Sequence, residues 1–346
     1  VEFDCKRIAF EYAMTFFMRA MIMLSLISCL SLDGVAAGYH DTLLNRCRDT
    51  TLYVSNTPES IKFPGVVFED TLYRSQARVL YHHKNISTYP LVISFLITNT
   101  SSDDVILGLY EGKGGPTTDI VYAGHRAAVN FMESLLALPK KIIIPAQSTI
   151  RVVEHLVKPG STTSGIIQIA KTTKTELTIK MQIEDPAFGP LSTVSNIADI
   201  RNTYLVGKYS ESIRSTNASF DALDQIQRFS IGGKPYIRDD RSNIELKGSY
   251  GMIHTAQIVV TNSDIRKRKI QLFVEPTKKN AVDRAVLYLN GKLIQTGMLT
   301  LKAGEKISKK IFEFEIDPFG SRVLEWVTLP QAGCFYPVDY IIKTVD

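Results

Sequence analysis

Leu91-Val92-Ile93-Ser94-Phe95-Leu96-Ile97-Thr98-Asn99-Thr100-Ser101-Ser102-Asp103 is echoed later in the chain by Gln257-Ile258-Val259-Val260-Thr261-Asn262-Ser263-Asp264. Each copy is an apolar, β-branched run that ends in Thr-Asn and passes into a Ser/Asp turn, and each is followed by another apolar run. Asn and Asp tolerate left-handed backbone and hydrogen-bond their own chain, so the pattern predicts two strands returning on each other in a hairpin. Farther on, Ile144-Pro145-Ala146-Gln147 in the first half is matched with Lys302-Ala303-Gly304-Glu305 in the second, each leading into a further strand. Recurrence in the same order predicts two related immunoglobulin-like units.

The rest of the chain reads the same way. Short apolar runs bounded by turn residues predict strands at 78–83, 91–98, 105–110, 142–144, 149–157, 165–170 and 177–183, then at 253–261, 270–274, 285–289, 292–295, 307–316, 323–327 and 338–342. One stretch has a different period. Between Gly124 and Ala137 the apolar residues Ala127, Ala128, Phe131, Met132, Leu135 and Leu136 recur at helical spacing and Pro139 stops them, which predicts a helix capping one end of the first unit. The expected fold is mainly β: two immunoglobulin-like β-sandwich domains, the first with one inserted α-helix near 124–137. Residues 38–190 form the first domain and 191–346 a linker and the second. Asp185-Pro186 and Gly189-Pro190 place the boundary within 185–199. The polar stretch 200–234 is expected to be a long connection.

The 346 residues are ample for two cores, and a net charge of +5 spread along the chain lacks the basic arms that follow a phosphate backbone, so nucleic acid is not an expected partner. The densest basic run, Arg266-Lys267-Arg268-Lys269, follows a turn composition and reads as a solvated hairpin tip.

The N-terminus carries an export pattern. Met18-Arg19 precedes an uncharged apolar run from Ala20 to Leu32, too short to span a bilayer comfortably, and Val35-Ala36-Ala37 ends it with small residues. Residues 1–37 are expected to be upstream sequence and a cleaved signal peptide, with mature protein beginning near Gly38 in an extracytoplasmic compartment. Leu26-Ile27-Ser28-Cys29 also resembles a lipobox, and acylation there would make Cys29 a membrane anchor. Cleavage leaves Cys47 and Cys334 near opposite ends. One disulfide between them would stabilise by on the order of 5 kcal/mol through loop closure; two separate thiols are the other reading.

No nucleophile elbow, His-Glu-x-x-His, Walker loop, Cys-x-x-Cys or dinucleotide fingerprint occurs, and no cofactor is expected. The candidate ligand-binding residues are His82, Asn85, Gly114, Gly115, Asp119 and His125. Imidazoles with Glu111 and Asp119 have metal-ligand chemistry, but adjacent His82 and His83 on a strand point to opposite faces, so only one of them fits a given site. Gly114-Gly115 lies in a loop whose N–H groups suit an anion, although strand-to-helix loops use glycine for geometry as well. The sole tryptophan, Trp326, and the many tyrosines and phenylalanines supply aromatic area for a sugar-binding face or for a core.

Several blocks, namely Arg78-Val79-Leu80-Tyr81-His82-His83-Lys84-Asn85, Gly114-Gly115-Pro116, Ala123-Gly124-His125, Lys247-Gly248-Ser249-Tyr250-Gly251 and Leu289-Asn290-Gly291, resemble a group of uncharacterised secreted β-rich bacterial proteins. They come from Gram-positive spore formers, some with a copper-amine-oxidase-like N-terminal domain, and from cyanobacteria. The resemblance runs from about Phe68 to the C-terminus and implies export and a cell-envelope role; it implies no catalytic residue. The leading expectation is a non-catalytic secreted or envelope protein that binds a cell-surface protein or polysaccharide. The alternative is a metal-dependent or hydrolytic extracellular enzyme using the region of His82, Asp119 and His125, which requires those side chains to meet within bonding distance.

Overall fold

The computed structural model describes residues 41–56, 60–187, 207–277, 282–300 and 307–345. The export pattern of residues 1–37, with Cys29, and the segment Lys302 to Glu305 therefore lie outside the described residues, as does most of the 185–199 boundary.

Four large sheets pack as two sandwiches. In the first, one sheet has the order β11-β1-β4-β9-β6-β7, with the short β2 (Ser60–Ile61) also on β4. Its strands are β1 (Thr50–Ser55), β4 (Gln76–Asn85), β6 (Val105–Thr117), β7 (Lys140–Ile144), β9 (Thr162–Lys171) and β11 (Gly207–Tyr209). The facing sheet is β3-β10-β5-β8, made of β3 (Gly65–Leu72), β5 (Leu91–Asn99), β8 (Ser148–Val157) and β10 (Leu177–Glu184). Alternate residues of both, among them Val79, Tyr81, Leu107 and Ile167 against Phe68, Ile93, Phe95 and Ile179, form the core between them.

The second sandwich pairs β12-β14-β21-β17-β18 with β13-β22-β15-β20. These are β12 (Ile213–Asp221), β13 (Ile226–Ile231), β14 (Ile253–Thr261), β15 (Arg268–Pro276), β17 (Val286–Leu289), β18 (Lys292–Gln295), β20 (Lys309–Ile316), β21 (Ser321–Thr328) and β22 (Val338–Val345); β16 (Val282–Asp283) and β19 (Leu299–Thr300) form a separate pair. Trp326 is 1% exposed and stacks on Tyr340 with ring centroids 5.7 Å apart, so the tryptophan is core and offers no sugar platform.

The echoed Thr-Asn motifs occupy equivalent places. The order β4-β9-β6-β7 recurs as β13-β22-β15-β20, and the antiparallel pair β5-β8 recurs as β14-β21. Asn99 Nδ2 donates to the carbonyls of Asp103, Ile144 and Pro145. Asn262 Nδ2 donates to those of Arg266, Ile316 and Asp317. Each Asn thus ties its own turn to a second turn that also crosses between sheets.

Two expectations are corrected by this. Neither turn closes a hairpin, because the flanking strands belong to opposite sheets: β5 and β6 in one case, β14 and β15 in the other. The counterpart of Pro145-Ala146-Gln147 is Asp317-Pro318-Phe319, where Gln147 (φ 53°) and Phe319 (φ 55°) share the left-handed backbone. The 200–234 stretch is likewise no plain connection, since it contains β11, β12, a 3-10 turn at Ala222–Asp224 and β13. Strand β12 runs parallel to β14 at a sheet edge and buries little besides Phe220, which is why it reads as polar.

Two helical segments complete the fold. A short one, α1, covers 41–47, and α2 covers Ile120–Leu136, inserted between β6 and β7. Helix α2 starts four residues before the expected Gly124, because Asp119 caps it by accepting from Tyr122 N–H at 2.9 Å. It caps no end of a sandwich. It lies on the outer face of the first sheet, and on its other side the second sandwich covers it.

Candidate functional site

The outer face of a sandwich sheet is ordinarily wet. Here Leu52, Val54, Leu80 and Ile166 of the first sheet meet Phe131, Met132 and Leu135 of α2 and Met252, Ile253, Val286, Val327 and Leu329 of the second sandwich in one shared apolar cluster. Strands β4 and β9 are consequently buried on both faces.

Most of the sequence-predicted site residues lie in or beside this seam, each with a structural role. A Cβ on Gly114 would stand 1.9 Å from the Ala123 carbonyl, and one on Gly112 2.1 Å from that of Ala127, so these glycines let α2 lie directly on β6. Gly115 sits at φ +86° before a cis Pro116 and ends that contact. Asp119 is spent on the cap. His125 bridges the seam, its Nδ1 3.2 Å from Gln331 Oε1 and its Nε2 3.0 Å from Gln295 Oε1. Asn85 repeats the Asn99 device, donating to the carbonyls of Tyr89 and Val157 while Ser87 N–H donates back to its Oδ1.

His82 and His83 do point to opposite faces, and both are fully buried. His83 Nε2 lies 2.9 Å from Ser55 Oγ. His82, on the seam face with Leu80, has no hydrogen bond at either ring nitrogen, and burial lowers its pKa to about 4. The residues proposed to work together are therefore not joined by any hydrogen bond, and among the described residues no three His, Cys, Asp or Glu side chains are grouped to hold a metal.

The two cysteines are free thiols in different clusters, which corrects the bridged reading. Cys47 packs in the seam with Sγ 3.7 Å from Gln168 Oε1, whereas Cys334 lies in the second core beside Gln331 and the Arg284 carbonyl. Burial raises both, that of Cys334 to about 12, so neither carries thiolate reactivity at neutral pH.

A buried pair that the sequence reading did not single out joins Tyr81 Oη to His155 Nε2 at 2.7 Å, next to the Lys113–Glu111 ion pair at 2.9 Å. Burial, with Glu111, drives the Tyr81 phenol up; burial, with Lys113, takes His155 down to about 4. Both groups are neutral near pH 7, and the pair is a core hydrogen bond without the matched pKa values that proton transfer wants.

What the seam does leave open is a cleft of about 340 Å³ at its edge, a size within the range of small-ligand sites. The first sandwich supplies Arg48 and Asp49, the two-residue turn from α1 into β1, and Arg74, from the turn between β3 and β4. Ser210 and Ser212, from the turn between β11 and β12, and Ser215 on β12 supply the other wall. Parallel pairing of β1 with β4, and antiparallel pairing of β11 with β1, brings these turns together although they are scattered in sequence.

Asp49 holds φ +52°, a left-handed conformation in a non-glycine residue. Arg74 Nη1 donates to the Ser210 carbonyl at 3.0 Å and lies 3.6 Å from Asp49 Oδ1, with the two side chains 39% and 63% exposed. Arg48 is exposed, and its guanidinium makes no hydrogen bond or ion pair among the described residues. Beneath the floor lies Arg78, fully buried, donating from Nη1 to the carbonyls of Ser212 and Gly251 and from Nε and Nη2 to Gln168 Oε1. Tyr73, next to Arg74 in the chain, is 69% exposed.

No family model and no curated protein matches the chain. Solved structures to which it is similar include a Podospora anserina GH26-CBM35 β-(1,4)-mannanase (10% identity, 36% of this chain and 28% of that one, TM-score 0.20). A tandem CBM22 domain of Paenibacillus barcinonensis Xyn10C matches at 10% identity over 77% of this chain and 82% of that one, TM-score 0.15. The human MASP-1/3 CUB1-EGF-CUB2 fragment matches at 9% identity over 85% and 98%, TM-score 0.19. The chain thus spans under a third of the mannanase, and similarity at these scores carries no argument about function.

Proposed function

We propose that this chain is a non-catalytic binding protein that acts outside the cytoplasm, secreted or in the cell envelope, and that its ligand is a polysaccharide held in the seam cleft. The observation that carries the reading is the lining of that cleft: exposed Ser210 and Ser215 on one wall and the exposed guanidinium groups of Arg48 and Arg74 on the other, with exposed Tyr73 next to Arg74 in the chain. Hydroxyls and planar cations match the donors and acceptors of a sugar, and an exposed aromatic ring offers a stacking face. A drug-like cofactor site would be more apolar and more enclosed. The extracytoplasmic part rests on the leader-like run from Met18 to Ala37 and on the resemblance to secreted proteins.

The test is an array of extracellular and cell-wall polysaccharides probed with the full chain and with Tyr73→Ala. Retention of at least one polymer, weakened in the variant, is the expected result. Binding to none of them, with capture on a surface protein instead, would transfer the reading to a protein partner.

A further inference from the structure

We infer that the cleft selects acidic polysaccharides, reading the carboxylate of a uronic acid unit through Arg48 and Arg74. The inference rests on the reading of the cleft as a polysaccharide site and adds the charge of the unit it takes.

The surroundings of the cleft carry uncompensated positive charge. Three carboxylates stand around the cleft, and each is already engaged. Asp49 lies by Arg74 and accepts from Ser75 Oγ at 3.3 Å; Asp240 accepts from the backbone N–H and the hydroxyl of Ser210; Glu211 lies 3.9 Å from Arg214. Two guanidinium groups have no carboxylate of their own, and Asp240, which is held only by neutral Ser210, offsets one of them, so one net positive charge is left over. Arg48 stands at the surface with no partner among the described residues, and Arg78, under the floor, is hydrogen-bonded only to neutral acceptors. A guanidinium does not escape such a position by losing its proton. Out of bulk water its field is weakly screened, and one of its carbonyl partners belongs to Ser212, a residue that lines the cleft. The cleft is therefore set up to receive negative charge.

The form of the charge follows from the donors. An arginine fork matches a planar carboxylate with two parallel N–H···O bonds, and Arg74 already has a carboxylate, that of Asp49, at 3.6 Å across a solvent-exposed and easily displaced pair. A ligand carboxylate that takes Arg48 and shares Arg74 leaves the sugar hydroxyls to the exposed Ser210 and Ser215. No bond is made or broken.

The experiment measures affinity of the full chain for polygalacturonate and alginate, for methyl-esterified polygalacturonate, for dextran sulfate and for a neutral β-glucan, at two salt concentrations. Expected are binding to a uronate polymer, weakening with salt, and loss of about tenfold or more on esterification and in Arg48→Ala and Arg74→Ala. Arg74→Lys should restore little, because an ammonium lacks the fork. Arg48→Ala removes no hydrogen bond of the fold, so an unchanged melting temperature shows that its loss is one of binding. Equal binding of the esterified or neutral polymers overturns the inference and leaves the polysaccharide reading standing. Dextran sulfate bound as well as the uronates, or uronate binding indifferent to Arg48→Ala, overturns it as non-specific attraction. Absence of binding to every polymer overturns both.

Discussion

His82 shows what one buried side chain costs this fold. Its ring lies in the seam with no hydrogen bond to either nitrogen and a pKa near 4, and burial similarly takes His254, whose Nε2 is unpartnered, down to about 3. A histidine of the unfolded chain takes up its proton near pH 6.5, whereas in the folded protein these rings stay neutral to lower pH. Below pH 6.5 the unfolded state binds more protons, so stability is full above that value and is lost as pH falls toward 4. For His82 the loss is on the order of 3 kcal/mol. Urea titrations at pH 7 and pH 4.5 should show the midpoint falling, and in His82→Leu the fall should be smaller; an identical pH dependence in the variant would rule His82 out as a source. Asn262 works in the opposite sense, since one side-chain amide serves three carbonyls. Asn262→Ala leaves them without their donor and should cost about 1–3 kcal/mol in the same assay, and a neutral substitution would mean that water replaces the amide without loss.

At the scale of elements, the docking of α2 on β6 depends on the absence of side chains. Gly114→Ala would push a methyl carbon against the Ala123 carbonyl, a backbone atom in the first turn of α2 that has no means of swinging aside. Overpacking of that kind should cost at least about 2 kcal/mol. Gly160→Ala is the control: its φ is +77° but nothing lies within 4 Å, so only backbone strain of roughly 1–2 kcal/mol is added. Chemical denaturation of both variants checks the contrast, and equal losses would show that helix and strand separate easily.

The same contact marks the limit of what the sequence discloses. Apolar runs identified most of the core strands from β4 onward, and the Thr-Asn echo identified the repeated corners, because both are local patterns. The Gly112–Gly115 run is conspicuous in sequence, but an anion loop and a helix berth use glycine alike, and only the position of α2 separates them. Strand β12 was illegible because an edge strand has little core to face, and β1 because it is buried on both faces and so lacks alternation. The cleft had no local signal at all: Arg48, Arg74 and Ser212 each sit in an ordinary turn, and only the sheet topology makes them neighbours.

For the molecule as a whole, the seam decides whether the sandwiches behave as two bodies or one. Domains joined by small polar contacts move independently, whereas a large apolar interface couples them. This seam is apolar in its centre, contains α2 between the partners, and is crossed by Arg78 to the Ser212 and Gly251 carbonyls and by His125 to Gln331 and Gln295. Strand β11, which precedes the second sandwich in the chain, also completes the edge of the first sheet next to β1. Separating the sandwiches would expose Leu80, Ile166, Ile253, Val327 and Leu329 together and strand a buried guanidinium without its acceptors. Neither half gains enough by staying folded to offset that, so scanning calorimetry should give one transition with matching calorimetric and van't Hoff enthalpies. Two resolved transitions would mean that the seam is weaker than its composition implies. A cleft built half from each sandwich would then lack a fixed shape, whereas a single transition means that its two walls are held at one spacing before any ligand arrives, so that binding spends little on ordering them.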